Sequence, residues 1–178
     1  MKRSAGPTND RHHAFTQWVR THGSVVLKIS RAYTINEDER QDLSQEILLR
    51  CWRSLHSFDG RSALSTWCYR VALNTAMNWR RDDARRRRGQ VTLVEPATVP
   101  SVAPEADHAV VARETLDRMY DAIHRLSKTD TALVLMYLDE MSYADIAEIS
   151  GITESNVGVR LTRARRKLRE LMRDRDDD

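Results

Sequence analysis

Apolar residues recur at intervals of three and four along most of the chain, and the one long interruption carries three of its four prolines. That spacing marks one face of a helix, whereas a half-buried strand alternates every second residue. Phe15, Trp18, Val19, His22, Val25, Val26 and Ile29 form the first stripe. Leu43, Ile47, Cys51 and Leu55 form the second, widened by Leu48 and Trp52. After a turn at Ser57-Phe58-Asp59-Gly60, a third helix begins near Ser62 with Leu64, Trp67, Cys68, Val71 and Ala72. Beyond the proline-bearing stretch, Val110–Leu126 and Thr129–Leu138 are helical candidates. No alternation runs long enough to build a sheet. The expected fold is all-α, with two small helical domains joined by a flexible linker. A chain of 178 residues has room for two such units. The expected boundaries are a polar segment at 1–12, a first domain at 13–88, a linker at 89–106, a second domain at 107–173 and an acidic tail at 174–178.

The second domain carries a helix-turn-helix pattern between Ser142 and Leu171. Ser142 is placed to cap a short helix whose Ile146, Ala147 and Ile149 face inward. Gly151 permits the positive φ of a tight turn, and Thr153 caps the next helix. That helix has the apolar stripe Val157, Leu161, Ala164, Leu168 and Leu171. Its outward face offers Thr153, Glu154, Ser155, Asn156, Arg160 and Arg163. Residues near the start of such a helix reach base edges and later ones meet phosphates. Asn and Arg side chains match adenine and guanine respectively.

Charge is segregated beneath a formal net of +3. Asn36–Glu46 holds five carboxylates against Arg40, Trp79–Arg88 holds six arginines against two aspartates, and Gly158–Arg175 holds seven arginines and a lysine against two acids. Arginine's planar fork suits phosphates and guanine edges. The cluster after Asn78 equally fits a solvated helix end, where cations complement the dipole. Trp67, Tyr69, Asn74, Asn78 and Trp79 precede it, and aromatics and amides beside a cationic stripe suit unstacked bases on a charged strand. The acidic segment reads either as a capped, exposed helix start or as a surface for a basic partner.

Other function classes find no support. Cys51 and Cys68 are too few for a disulfide framework and sit among apolar neighbours, so buried thiols are expected. The six histidines show no ligand spacing, and no metal or other cofactor is assigned. There is no nucleophile–base pair or phosphate loop, hence no enzyme and no small-molecule substrate. The apolar runs are too short to span a bilayer and no signal peptide opens the chain, so no membrane insertion and a cytoplasmic location are expected.

Taken together, Asp42-Leu-Ser-Gln-Glu-Ile-Leu-Leu-Arg-Cys-Trp-Arg53, the run Phe58–Asn78, Ser142-Tyr-Ala-Asp-Ile-Ala-Glu148 and Asn156–Arg169 resemble a bacterial sigma factor. The resemblance is to the extracytoplasmic-function (group 4) class of the sigma-70 family, over about residues 13–88 and 110–172. It implies that Asp42, Gln45, Glu46, Arg50 and Trp52 bind core RNA polymerase. It implies that Phe58, Asp59, Gly60, Arg61, Ser62, Arg70, Asn74 and Asn78 hold the melted minus-ten strand, with Arg80 and Arg81 on phosphates. It further implies that Thr153, Glu154, Ser155, Asn156, Arg160 and Arg163 read the minus-thirty-five element. Promoter DNA, core polymerase and an anti-sigma factor are the implied partners, and transcription initiation is the implied function. The alternative is a stand-alone helix-turn-helix regulator whose first domain senses a ligand or dimerises. Two departures stand out. The chain has Leu126-Ser-Lys-Thr-Asp-Thr131 where the family often has Leu-Pro-x-x-x-Arg, and Val157-Gly-Val-Arg160 where Lys and Ser are usual between Val and Arg. Glycine inside a helix costs about 0.5–1 kcal/mol relative to alanine. Gly158 therefore reads either as a close backbone approach to DNA or as a tolerated change.

Overall fold

The first apolar stripe forms α1, Pro7–Tyr33, burying Phe15, Trp18, Val26 and Ile29 along one side. The structure is a computed structural model describing the backbone of residues 7–89 and 107–173, and the side chains of 13–80 and 112–173. The segment 1–6, the linker expected at 89–106 apart from Gly89, and the tail therefore lie outside the described residues, with Asp107 opening the next helix.

Asn36 starts α2, Glu37–Ser54, by accepting from the Glu39 amide at 2.8 Å. Glu37, Asp38 and Glu39 fill the first turn, where carboxylates complement the positive end of the helix dipole. Leu43, Ile47 and Cys51 are fully buried, and a single 3-10 turn at Leu55–Ser57 ends the element. The helix α3, Leu64–Gly89, closes the first bundle with Cys68, Ala72, Leu73 and Ala76. Cys51 and Cys68 are both buried free thiols. The neighbouring Cys51 and burial hold the Cys68 thiol well above its ordinary range, as expected of inert structural cysteines.

The second bundle comprises α4 (Asp107–His124), α5 (Lys128–Leu138), α6 (Tyr143–Ser150) and α7 (Glu154–Arg173). Thr131 to Met136 of α5 are all buried, because α5 packs against α6 and α7 on one side and α1 and α3 on the other. The two domains thus share a continuous core among the described residues. Polar contacts cross the seam: the Tyr33 hydroxyl donates to the Lys128 carbonyl at 2.7 Å, and the Tyr69 hydroxyl to Asp139 Oδ2 at 2.7 Å. Burial raises both phenols above the usual tyrosine range. The Asp139 carboxylate raises Tyr69 further, and Arg80 partly offsets the rise at Tyr33, so both remain donors.

Candidate nucleic-acid interface

The helix-turn-helix is built by three short-range devices. Ser142 accepts from the Asp145 amide at 3.1 Å and caps α6. Gly151 ends it in the left-handed region, at φ 71°, with its N–H on the Ala147 carbonyl at 2.9 Å. The Thr153 hydroxyl then accepts from the Asn156 amide at 3.3 Å and starts α7. Ile146, Val157, Leu161 and Ala164 are buried between the helices and fix their crossing.

Thr153, Glu154, Ser155, Asn156 and Arg163 are exposed, as the sequence spacing requires. Arg160 departs from that pattern. It is half-buried, with Nε at 3.1 Å and Nη2 at 2.9 Å from Asp130 Oδ1, so its guanidinium braces α7 against α5. Asp130 also takes the Ser127 hydroxyl at 2.6 Å, which ties this brace to the cap of α5. Sequence reading missed Asp130, because nothing in a lone aspartate marks its partner 30 residues away. It also missed Val159, which is exposed in the turn between Asn156 and Arg163. An apolar side chain there suits a thymine methyl. Gly158 lies against α6: a Cβ built on it would be 3.5 Å from Tyr143 Cε2, an ordinary packing distance.

In the first domain, Gly60 adopts a left-handed φ of 75°. Asp59 folds the loop by accepting from the Arg61 amide at 3.1 Å and pairing with Arg61 Nε at 3.0 Å. The Arg61 side chain is 89% exposed. Phe58 is held by Trp67, with ring centroids 5.6 Å apart, and Ser62 is half-buried beside the loop. On α3, Arg70, Asn74 and Asn78 follow at steps of four, so they share one face of the helix. Asn74 is exposed and Asn78 half-buried, while the Arg81 side chain lies outside the described residues. Arg70 and Arg80 turn toward the second domain: Arg70 Nη2 is 2.8 Å from Glu148 Oε1, and Arg80 Nη2 is 2.7 Å from the His124 carbonyl oxygen.

A second exposed face runs along α2. Asp42, Gln45 and Trp52 are exposed away from the buried Leu43, Ile47 and Cys51, and the half-buried Glu46 at the edge pairs with Arg50 Nε at 2.6 Å. The spacing of the apolar stripe places Trp52 at the edge of the core. It is instead exposed, touching the Phe15 ring at a centroid distance of 5.5 Å. Leu49, also exposed, extends this face and was not singled out, although it sits three residues after Glu46. The face combines acidic, aromatic and apolar groups. Among the described residues no cluster of histidine, cysteine, aspartate or glutamate could hold a metal ion. No described helix is long and apolar enough to cross a membrane.

Residues 18–86 match the family model for sigma-70 region 2, and residues 116–168 match that for sigma-70 region 4. The chain is 32% identical to the ECF RNA polymerase sigma-E factor of Haemophilus influenzae, over 85% of its length and 84% of that protein. It is 29% identical to the ECF RNA polymerase sigma factor SigW of Bacillus subtilis, over 90% of each. Two solved structures share the fold. CnrH in complex with the cytosolic domain of CnrY has a TM-score of 0.66 at 22% identity, covering 92% of this chain and 90% of CnrH. The sigma factor RpoE of Bartonella quintana, solved with the anti-sigma factor NepR, has a TM-score of 0.69 at 23% identity, covering 90% of this chain and 97% of RpoE.

Proposed function

Because the chain belongs to the extracytoplasmic-function class of the sigma-70 family, and so is an RNA polymerase sigma factor directing transcription initiation, we propose how its faces divide that task. The stand-alone regulator falls with that membership. The α2 face of Asp42, Gln45, Glu46, Arg50 and Trp52 docks on core polymerase, where charge complementarity raises association rate and specificity. The loop Phe58–Ser62 and the α3 face of Arg70, Asn74, Asn78 and Arg81, with Arg80 beside it, hold the separated minus-ten strand. Amides and a fixed aromatic pair capture bases that have left the stack, and the arginines neutralise phosphates. Capture of unstacked bases shifts the melting equilibrium without any covalent step.

In the second domain, Ser155, Asn156, Val159 and Arg163 meet the minus-thirty-five element, with Thr153 and Glu154 at the helix start. Arg160 contributes from its brace on Asp130. Tethering makes two weak DNA contacts act together. Residues 1–12, 89–106 and 174–178 serve as leading segment, linker and tail around these two units. The protein works in the cytoplasm with the polymerase, and its activity is set by a protein partner of the anti-sigma class.

The observation that supports this reading most strongly is the run Arg70, Asn74 and Asn78 on one face of α3, the helix that follows the loop of the exposed Arg61. The test is reconstitution with bacterial core polymerase followed by promoter-directed run-off transcription. Binding to core and promoter-dependent transcripts are expected. A chain that binds duplex DNA alone and ignores core polymerase would overturn the proposal.

A further inference from the structure

The run Leu126–Thr131 departs from the family's usual Leu-Pro-x-x-x-Arg, and its two changed positions have distinct tasks. Ser127, in place of the proline, is the N-cap of α5. It accepts from the Asp130 amide at 3.1 Å and donates its hydroxyl to Asp130 Oδ2 at 2.6 Å, whereas proline has no polar side-chain group for either bond. Thr131, in place of the arginine, is fully buried, and its hydroxyl donates to the Ile123 carbonyl at 3.4 Å. Position 131 therefore brings no cation to the surface. The cation beside this turn comes from α7, as Arg160.

Asp130 fixes how that cation is presented. With Oδ2 held by Ser127, Oδ1 takes Arg160 Nε at 3.1 Å and Nη2 at 2.9 Å. This engages the side edge of the guanidinium. The fork carries five N–H donors, so both on Nη1 and one on Nη2 are left for a second acceptor. That end edge matches the paired oxygens of a phosphate. The side chains of Arg160 and Asp130 are 35% and 29% exposed, which puts the pair at the surface margin and not in the core.

The place of Arg160 on α7 says which part of DNA it meets. It lies four residues after the exposed Asn156, three before the exposed Arg163, and next to the exposed Val159. Drawn toward α5 by Asp130, it stands at the flank of that reading face and not on its crest. A recognition helix in the major groove has base edges beneath its crest and a phosphate strand along each flank.

We propose that Asp130 is a positioning residue for minus-thirty-five binding: held by Ser127, it turns Arg160 so that its end edge clamps a phosphate flanking the bases met by Asn156, Val159 and Arg163. The inference rests on the assignment of α7 to that element. Ordering a long side chain at an interface costs about two- to tenfold in affinity, and a fork fixed before DNA arrives has already met that cost.

The test uses holoenzyme reconstituted with bacterial core polymerase and a labelled duplex that the wild-type holoenzyme recovers from a random-sequence pool. Affinity is measured across a salt series. Arg160→Ala is expected to weaken binding about tenfold and to lower the slope of log affinity against log salt by about 0.9, the loss of one phosphate contact. A brace that only supports the fold does not change that slope. Arg160→Lys restores the slope but not the full affinity, because a point charge has no fork. Asp130→Asn weakens binding about fivefold at unchanged slope, although removal of a carboxylate near DNA would by charge alone tighten it. Added to Arg160→Ala, Asp130→Asn has no further effect. Circular dichroism confirms that each variant keeps its helices. A wild-type slope in Arg160→Ala overturns the phosphate clamp, and unchanged or tighter binding in Asp130→Asn overturns the positioning. In either case Asn156→Ala and Arg163→Ala still weaken binding if the α7 assignment stands; no effect from those two removes the assignment itself.

Discussion

Replacing Gly158 with alanine separates a demand of the fold from a demand of DNA. Gly158 is inside α7 and carries no left-handed backbone angle, so alanine meets no conformational strain. The added Cβ would lie 3.5 Å from Tyr143 Cε2, within ordinary van der Waals contact. Helix propensity then decides the sign, by about 0.5–1 kcal/mol in favour of alanine. For a chain of this size each kcal/mol moves Tm by about 2–4 °C, so Tm is expected to rise by about 1–4 °C. The new methyl points at α6, away from the exposed side of Ser155, Asn156 and Arg163. Affinity for the minus-thirty-five element is therefore expected to stay within about twofold, well short of the tenfold step that about 1.4 kcal/mol would bring. Thermal unfolding by circular dichroism and binding to an upstream promoter duplex check the two halves. A lower Tm would refute the packing argument. Unchanged stability with a tenfold loss of DNA affinity would show that the backbone at Gly158 approaches DNA closely.

Further expectations concern the rest of the fold. Asp130→Ala releases Arg160 and removes the acceptor of the Ser127 hydroxyl, while the backbone cap of α5 stays. A loss of about 1.5 kcal/mol is expected, the low end for hydrogen bonds to charged groups because both side chains still reach water; urea unfolding measures it, and an unchanged midpoint contradicts the brace. Ile47→Ala empties a fully buried site between α2 and its neighbours, and a loss of about 2–5 kcal/mol should appear in the same assay. The raised phenols of Tyr33 and Tyr69 give a stability contribution that is full below the unfolded tyrosine pKa of about 10 and falls as pH rises above it. Urea midpoints from pH 8 to 11 test this. A decline that is no shallower in Tyr69→Phe would exclude Tyr69 as its source.

The helices and the helix-turn-helix were legible because their signals are local. The stripe Phe15, Trp18, Val26, Ile29 faces one core, and Ser142, Gly151 and Thr153 each act within four residues of themselves. The limits of that legibility are equally physical. Thr131 to Met136 are all buried, so although the spacing makes Thr129–Leu138 a helical candidate, no polar face in that run shows which sides α5 packs. Trp52 has the spacing of a core residue yet remains exposed, because α2 turns its buried face toward Leu43, Ile47 and Cys51. Arg160 has the spacing of an outward residue, yet Asp130 draws it in, and the pairing of Lys28 with Asp139 joins residues 111 apart. A long-range charge pair leaves no periodic trace in a chain that is rich in charge everywhere. Of the candidate site, the sequence resemblance nominated the side chains, and the geometry divided them into exposed residues such as Asn74 and Asn156 and seam-bound ones such as Arg70 and Arg80.

The assignment of α3 to the melted strand is tested most directly by Asn74→Ala in reconstituted holoenzyme, because Asn74 is exposed and leaves the core intact. Open-complex formation is followed by permanganate reactivity of promoter thymines, and association with core polymerase by fluorescence titration. Open complex is expected to fall about tenfold, equivalent to about 1.4 kcal/mol, with core affinity unchanged. Equal loss of both, or loss of neither, would contradict the account.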